Sequence, residues 1–213
     1  MPGSPFDQSM YQVRLEWGVD GLERLAASDI VVVVDVLRYS TNVIRRLEQG
    51  EDHPLDAAAH AASINGAAVA EAAASSGALV LVGALRNASA VAVAASAEQE
   101  RRGGRTSIAV IAAGELTGRD GAARVRFAVE DHLGAGAIVE ALGSLGIDHT
   151  SPEAAVAAES FRALRRSAKH LLTASGSGLE LAGQGRGDDV VAASALDAAS
   201  VVPVLREGVF RVH

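Results

Sequence analysis

Three apolar runs of strand length, alternating with helical stretches, predict an α/β protein with three layers (α/β/α) around a mostly parallel or mixed sheet. The first run is "DIVVVV", residues 29–34, whose unbroken valines suit a strand covered by helices on both faces. "ALVLVG" at 78–83 and "TSIAVIAAG" at 106–114 repeat it, and the stretches between are long enough for the helical crossovers that parallel strands require. Composition agrees: 49% of the 213 residues are hydrophobic and only 3% aromatic, with alanine and 22 glycines carrying the small-residue load. This length suits one domain over residues 1–213, or two intimately packed subdomains at about 1–125 and 126–213, the second more helical.

Taken in order, residues 29–34 form the first strand and "STNVIRRLEQG" at 40–50 a helix. Ser40 or Thr41 can cap it, Val43, Ile44 and Leu47 share one face, and Gly50 can stop it. "EDHPLDAAAHAAS" at 51–63 reads as a connector with some helical preference. After Asn65 and Gly66, "AAVAEAAASS" is a helix ended by Gly77, and the second strand follows. Asn87 or Ser89 can cap an alanine-rich helix that Gly103 and Gly104 terminate ahead of the third strand. Residues 115–129 read as a loop and then a strand-like piece, and "EDHLGAGAIVEALGSLG" enters another helix. "SPEAAVAAESFRALRR" opens a further one, with Ser151, Pro152 and Glu153 as its start signal. Beyond it the chain stays mainly helical, adds glycine-rich turns from "SGSG" onward, and ends in short strands at 201–205 and 209–212. The alanine runs sit in amphipathic helices, which argues against disorder.

Charge and composition exclude several classes. A formal net charge of −7 argues against a general nucleic-acid binder, whose footprint would be a basic face. An anionic ligand must then be held locally, by arginines, backbone N–H groups or a metal. With no cysteine there is no disulfide, thiolate zinc site or cysteine nucleophile, which fits a cytoplasmic protein. The N-terminus lacks the basic and apolar regions of a secretion signal, and no apolar run approaches the roughly 18 residues of a membrane span.

Candidate chemistry gathers where strands give way to helices. Ligands of open α/β sheets bind beyond the carboxyl ends of the strands, and Asp35 stands there, followed by Arg38, Ser40 and Thr41. That turn can hold a cation through Asp35 and an anion through Arg38 and the helix amides; alternatively Asp35 caps the helix or pairs with Arg38. The haloacid-dehalogenase mechanism is disfavoured, because its second acid position is Leu37 here. Asn65-Gly66 and Asn87 each stand before a helix, where a cap or turn role competes with ligand binding. Glu115 closes the third strand. Glu130 and Asp131, ahead of Gly134, Ala135 and Gly136, put adjacent carboxylates at a helix start, suited to magnesium or simply to the helix dipole. His132 reads as a surface or supporting residue, and Asp188-Asp189 as a turn or a late acidic pair near the same site. No dinucleotide fingerprint or P-loop occurs.

In order along the chain, "EWG", "VVVVDVLRYST", "NG" before an alanine helix, "LRNASAVA", "AAGE", "EDHLGAGAIVEAL", "DDV" and "VVPVL" together resemble the 2-phosphosulfolactate phosphatase family. The resemblance spans nearly the whole chain. It implies a magnesium-dependent phosphomonoester hydrolase of α/β fold that converts 2-phosphosulfolactate to sulfolactate and phosphate, within coenzyme M biosynthesis, and that forms a homodimer. On that reading Asp35, Arg38, Glu130 and Asp131 are catalytic, and Asp35, Glu115, Glu130 and Asp131 hold the metal. Ser40, Thr41, Asn65, Gly66, Asn87 and the Gly134, Ala135 and Gly136 amides then hold the anionic oxygens of a small phosphoester. Whether a carboxylate orients water or attacks directly stays open.

One departure stands out. Family members typically carry a longer segment with a Gly-Glu-rich turn and a Gly-Asn-Ser-Pro motif between the first helix and the Asn-Gly, where this chain has only "EDHPLDAAAHAAS". The short segment motivates a competing expectation, a non-catalytic anion-binding homologue. A phosphatase of another small phosphoester is the third.

Overall fold

Valine repeats in the middle of the chain make the centre of a sheet whose two faces are both covered. The computed structural model describes residues 4–118 and 123–213, so part of the loop expected at 115–129 lies outside the described residues. The element order begins β1 (Val13–Trp17), α1 (Gly18–Arg24), β2 (Ile30–Val34), α2 (Tyr39–Glu48), β3 (His53–Pro54), α3 (Ala57–Ala62), α4 (Gly66–Ala74) and β4 (Leu79–Gly83). It continues with α5 (Ala88–Arg102), β5 (Ile108–Ala112), β6 (Glu115–Leu116), β7 (Val125–Arg126), α6 (Val129–Ser144) and α7 (Pro152–Leu164). α8 (Ala168–Ala174), α9 (Gly176–Gly183), α10 (Gly187–Ala193), β8 (Pro203–Arg206) and β9 (Val209–Val212) complete it.

Seven of the described strands form one sheet in the order β1-β5-β2-β4-β8-β9-β3. The first four are mutually parallel, with Val32 of β2 opposite Val110 of β5 and Leu81 of β4. β8 then joins β4 antiparallel, and β9 and β3 continue antiparallel. The sheet is mixed, as the sequence allows, with its parallel part built on the three predicted strands. β2 shows why its run is apolar throughout. Ile30, Val32 and Val34 point into one core with Leu81, Leu133, Ile138 and Phe161, while Val31 and Val33 point into a second with Tyr39, Val43, Val69 and Phe210.

Three segments differ from expectation. β1 and α1 were not anticipated, because Arg14 and Glu16 interrupt the apolar run. The chain tolerates Arg14 by burying it with its guanidinium spent on the carbonyls of Ser9, Tyr11 and Ala26. The expected connector at 51–63 contains β3 and α3, the helix started by Asp56, whose carboxylate accepts the Ala58 and Ala59 N–H groups. The glycine-rich turns expected near residue 176 are instead helices α9 and α10. Among the described residues, no helix is long and apolar enough to cross a membrane.

Candidate active site

The ends of β2 and β5 converge with the starts of α4, α6 and α9, and four carboxylates meet there. Asp35 follows β2 directly and is buried. Its Oδ1 accepts the Tyr39 N–H (3.2 Å), and its Oδ2 accepts the Ser63 hydroxyl (3.0 Å) and the Gly66 N–H (3.1 Å). A side chain at position 66 would put its Cβ 2.5 Å from that Oδ2, so glycine is what lets α4 begin against the carboxylate. Burial, and then the Glu130 charge, push the Asp35 pKa up to about 6 despite these three donors.

Asp131 belongs to the same centre and works from beneath it. Its Oδ1 accepts the Val36 N–H (2.7 Å) and its Oδ2 the Gly114 N–H (2.9 Å), which ties the turn after β2 to the end of β5. Burial, followed by the charges of Asp35 and Glu130, raises its pKa well above the usual carboxylate range. Beside it, Glu130 is buried at 3% exposure; Oε1 lies 2.6 Å from the Ser177 hydroxyl, and Oε2 is buried with no hydrogen-bond partner among the described residues. The same hydroxyl contacts Glu115 Oε2 from β6.

These groups open onto a cleft of about 320 Å³ lined by Asp35, Arg38, Ser63, Asn65, Glu115 and Ser177, with Gln184 at its α9 side. A larger hollow elsewhere also carries acids, Glu140, Asp148 and Glu159, but none of them is buried. Arg38 brings positive charge to the wall. Burial and the neighbouring Arg186 charge make its guanidinium less basic than usual, while Asp189 and Asp35 oppose that effect. Asp189 bonds Arg186 (2.5 Å) and Arg45 (3.2 Å), so three arginines gather around one carboxylate and leave this lip cationic.

Acidic side chains at strand ends beside a cationic lip suit a phosphoester, and a family comparison agrees. A family model described as 2-phosphosulpholactate phosphatase matches residues 56–208 of the 213. The chain belongs to the 2-phosphosulpholactate phosphatase family. The match contains Asn65, Glu115, Glu130, Asp131 and Ser177. Asp35 and Arg38 precede it, and geometry alone brings them to the site.

Within this family member the structure sorts the predicted residues. Asp35, Arg38, Asn65 and Glu115 line the cleft; Glu130 reaches it through Ser177, and Gly66 and Asp131 fasten Asp35 and its turn. Asn65 Nδ2 donates to the Gly114 carbonyl (2.6 Å), and its Oδ1 is buried without a partner among the described residues. Other residues are placed differently. Ser40 Oγ accepts the Asp35 N–H (2.9 Å) and Thr41 donates to the Val36 carbonyl (2.8 Å), so both hydroxyls lock the turn rather than face a ligand. Asn87 is buried outside the cleft, its amide spent on Ala84 N–H and the Val82 and Val201 carbonyls.

Gly134, Ala135 and Gly136 lie inside α6, where helical bonding occupies their N–H groups. The two glycines serve packing: a Cβ at Gly134 would lie 2.6 Å from Val36, and one at Gly136 2.1 Å from the Ala157 carbonyl oxygen. His132 stacks on Trp17, with ring centroids 6.3 Å apart. Sequence reasoning missed Ser63, Ser177 and Arg186. Ser63 follows an alanine run and Ser177 lies between glycines, so neither neighbourhood advertises a site; Arg186 stood inside a stretch read as a turn.

The donor set fits a divalent cation, since magnesium takes carboxylate oxygens and Glu130 Oε2 is a buried one without a partner. Among the described residues no three acidic or imidazole side chains are already gathered at ligand distance.

Proposed function

We propose that this family member is a magnesium-dependent phosphomonoester hydrolase acting on a small phosphoester with further anionic groups, 2-phosphosulfolactate first among them. The observation that carries this reading is the unpartnered, buried Glu130 carboxylate oxygen in a cluster with Asp35, Asp131 and Glu115, beside the Arg38 lip. Glu115, Glu130 and Asp35 would hold the cation. When bound, it would polarise a phosphoryl oxygen and offset charge on the leaving alkoxide.

The chain's own residues supply the rest. Asp35, fixed from behind by Tyr39, Ser63 and Gly66, faces the cleft where an attacking water would be oriented. Arg38 binds phosphoryl or carboxylate oxygens with charge-assisted hydrogen bonds. Asp131 keeps the β2 and β5 ends in register beneath both. The short segment at 51–63 does not leave the site open on that side, because its last residue, Ser63, bonds Asp35 directly.

Phosphate release from a panel of small phosphoesters, with magnesium and with chelator, tests the reading. Chelator-sensitive release that Asp35→Asn abolishes is the expected result. Release that resists chelation would remove the metal. Silence across the panel, with phosphate or sulfonates still raising the melting temperature, would leave an anion-binding homologue. The proposal includes a homodimer, which light scattering during size exclusion reads directly.

A further inference from the structure

We propose that Ser177 is a positioning residue for cation uptake: its hydroxyl ties α9 to Glu115 and Glu130 at once and holds the two carboxylates where the cleft takes a divalent cation. The inference rests on the metal-dependent reading above. Ser177 is buried at the second position of α9. Its backbone is held by Ser175, which caps the helix by accepting the Gly178 N–H (3.1 Å) and donates to the Leu172 carbonyl (2.9 Å) at the end of α8. The hydroxyl is therefore delivered to a fixed place between β6 and α6.

Counting protons there shows a deficit. Ser177 Oγ lies 2.6 Å from Glu130 Oε1 and also contacts Glu115 Oε2, yet a hydroxyl carries one proton and can donate to only one of them. Glu130 Oε2, in the same carboxylate, has no partner among the described residues although it is buried. Two carboxylate oxygens thus share one hydrogen-bond donor while a third has none, and two negative groups are drawn together by a neutral bridge. Such an arrangement is satisfied when a cation joins it. Because the bridge starts α9, cation binding and the seating of that helix become linked, and the cleft wall also takes Glu180 and Leu181 from α9 and Gln184 from its C-terminal cap.

The test titrates Mn²⁺ alone into substrate-free protein by calorimetry and follows hydrogen exchange across Gly176–Gly183. In the wild type, Mn²⁺ should bind and slow exchange in that helix. Ser177→Ala should stay folded with a lowered cation-free melting temperature, since the buried Glu130 carboxylate loses its donor, and should bind Mn²⁺ about ten- to a hundredfold more weakly, with no response of α9 exchange. Unchanged Mn²⁺ affinity in folded Ser177→Ala overturns the role of Ser177 and leaves the metal-dependent phosphatase standing. Should that variant not fold, the wild-type exchange decides: Mn²⁺ binding with no slowing in Gly176–Gly183 overturns the link. A wild type that takes up no Mn²⁺ overturns this inference and the metal reading together, and that outcome appears in the wild-type arm alone.

Discussion

Asp35 accepts three hydrogen bonds, and each favours its charged form, yet burial and the Glu130 charge outweigh them and leave its pKa at about 6. A carboxylate raised in this way stabilises the fold fully below its unfolded value, near 3.8, and that contribution is lost as pH rises through about 6. Asp131, raised for the same reasons, adds to the loss. Cation-free protein should therefore lose stability from about pH 4 to pH 7, and urea midpoints across that range should show a shallower fall in Asp35→Asn. An equally steep fall in the variant would place the titration elsewhere. Arg38 offers a second test at this scale. Losing its charge-assisted bonds in Arg38→Gln should raise KM for an anionic phosphoester by roughly tenfold or more, with the melting temperature little changed. Asp35 and Arg38 were legible as residues at the cleft because they follow the carboxyl end of a buried strand, where ligands of open α/β sheets sit, although a capping role for Asp35 was equally open. Ser40, Thr41 and Asn87 misled for a general reason: hydroxyl and amide side chains bond nearby backbone as readily as a ligand, and sequence does not say which.

Helices set the depth of the site through how closely they pack. α6 carries Glu130 and Asp131 into the centre only because Gly134 and Gly136 let it lie against Val36 and α7. The glycines that resembled an anion cradle are thus the contact surface of the element that bears the acids. Gly136→Ala would force a Cβ to 2.1 Å from the Ala157 carbonyl oxygen, a backbone atom that cannot swing aside. We expect a loss of about 1–3 kcal/mol or more in chemical denaturation, with activity falling as α6 shifts. Asn87→Ala should behave differently. It strips partners from three backbone groups that join β4 to the segment entering β8, costing roughly 2 kcal/mol while leaving KM unchanged, since Asn87 is outside the cleft. At this scale β2, β4, β5 and the helices α2, α4 and α5 between them were readable from period and length, whereas α3 lay in a segment read as a connector. β1 was not, because a buried arginine satisfied by carbonyls looks, in sequence, like a surface charge.

The whole molecule sets a protein of net charge −7 against a substrate class that is itself anionic. Positive charge is concentrated where Arg38, Arg45 and Arg186 surround Asp189, next to the carboxylate cluster. The overall layering was legible because strand and helix periods are local properties. That lip was legible only in part: Arg38 and a late acidic pair were expected near the site, but Arg45 and Arg186 were not, since the lip joins residues near 40 to residues near 186, which only the folded chain brings together. These two fields act over different distances. The diffuse negative field reaches the approaching ester first and is the one that salt screens, with a Debye length of about 10 Å at 0.1 M, whereas the lip acts at contact. At saturating free magnesium, kcat/KM for a phosphoester bearing further acidic groups should therefore rise as a weakly coordinating salt is raised from about 10 to about 100 mM. The rise should be smaller for a simple monoester of lower charge. A steady fall for both would mean that the cationic lip, and not the protein's net charge, governs encounter, and Arg186→Gln should then flatten the curve.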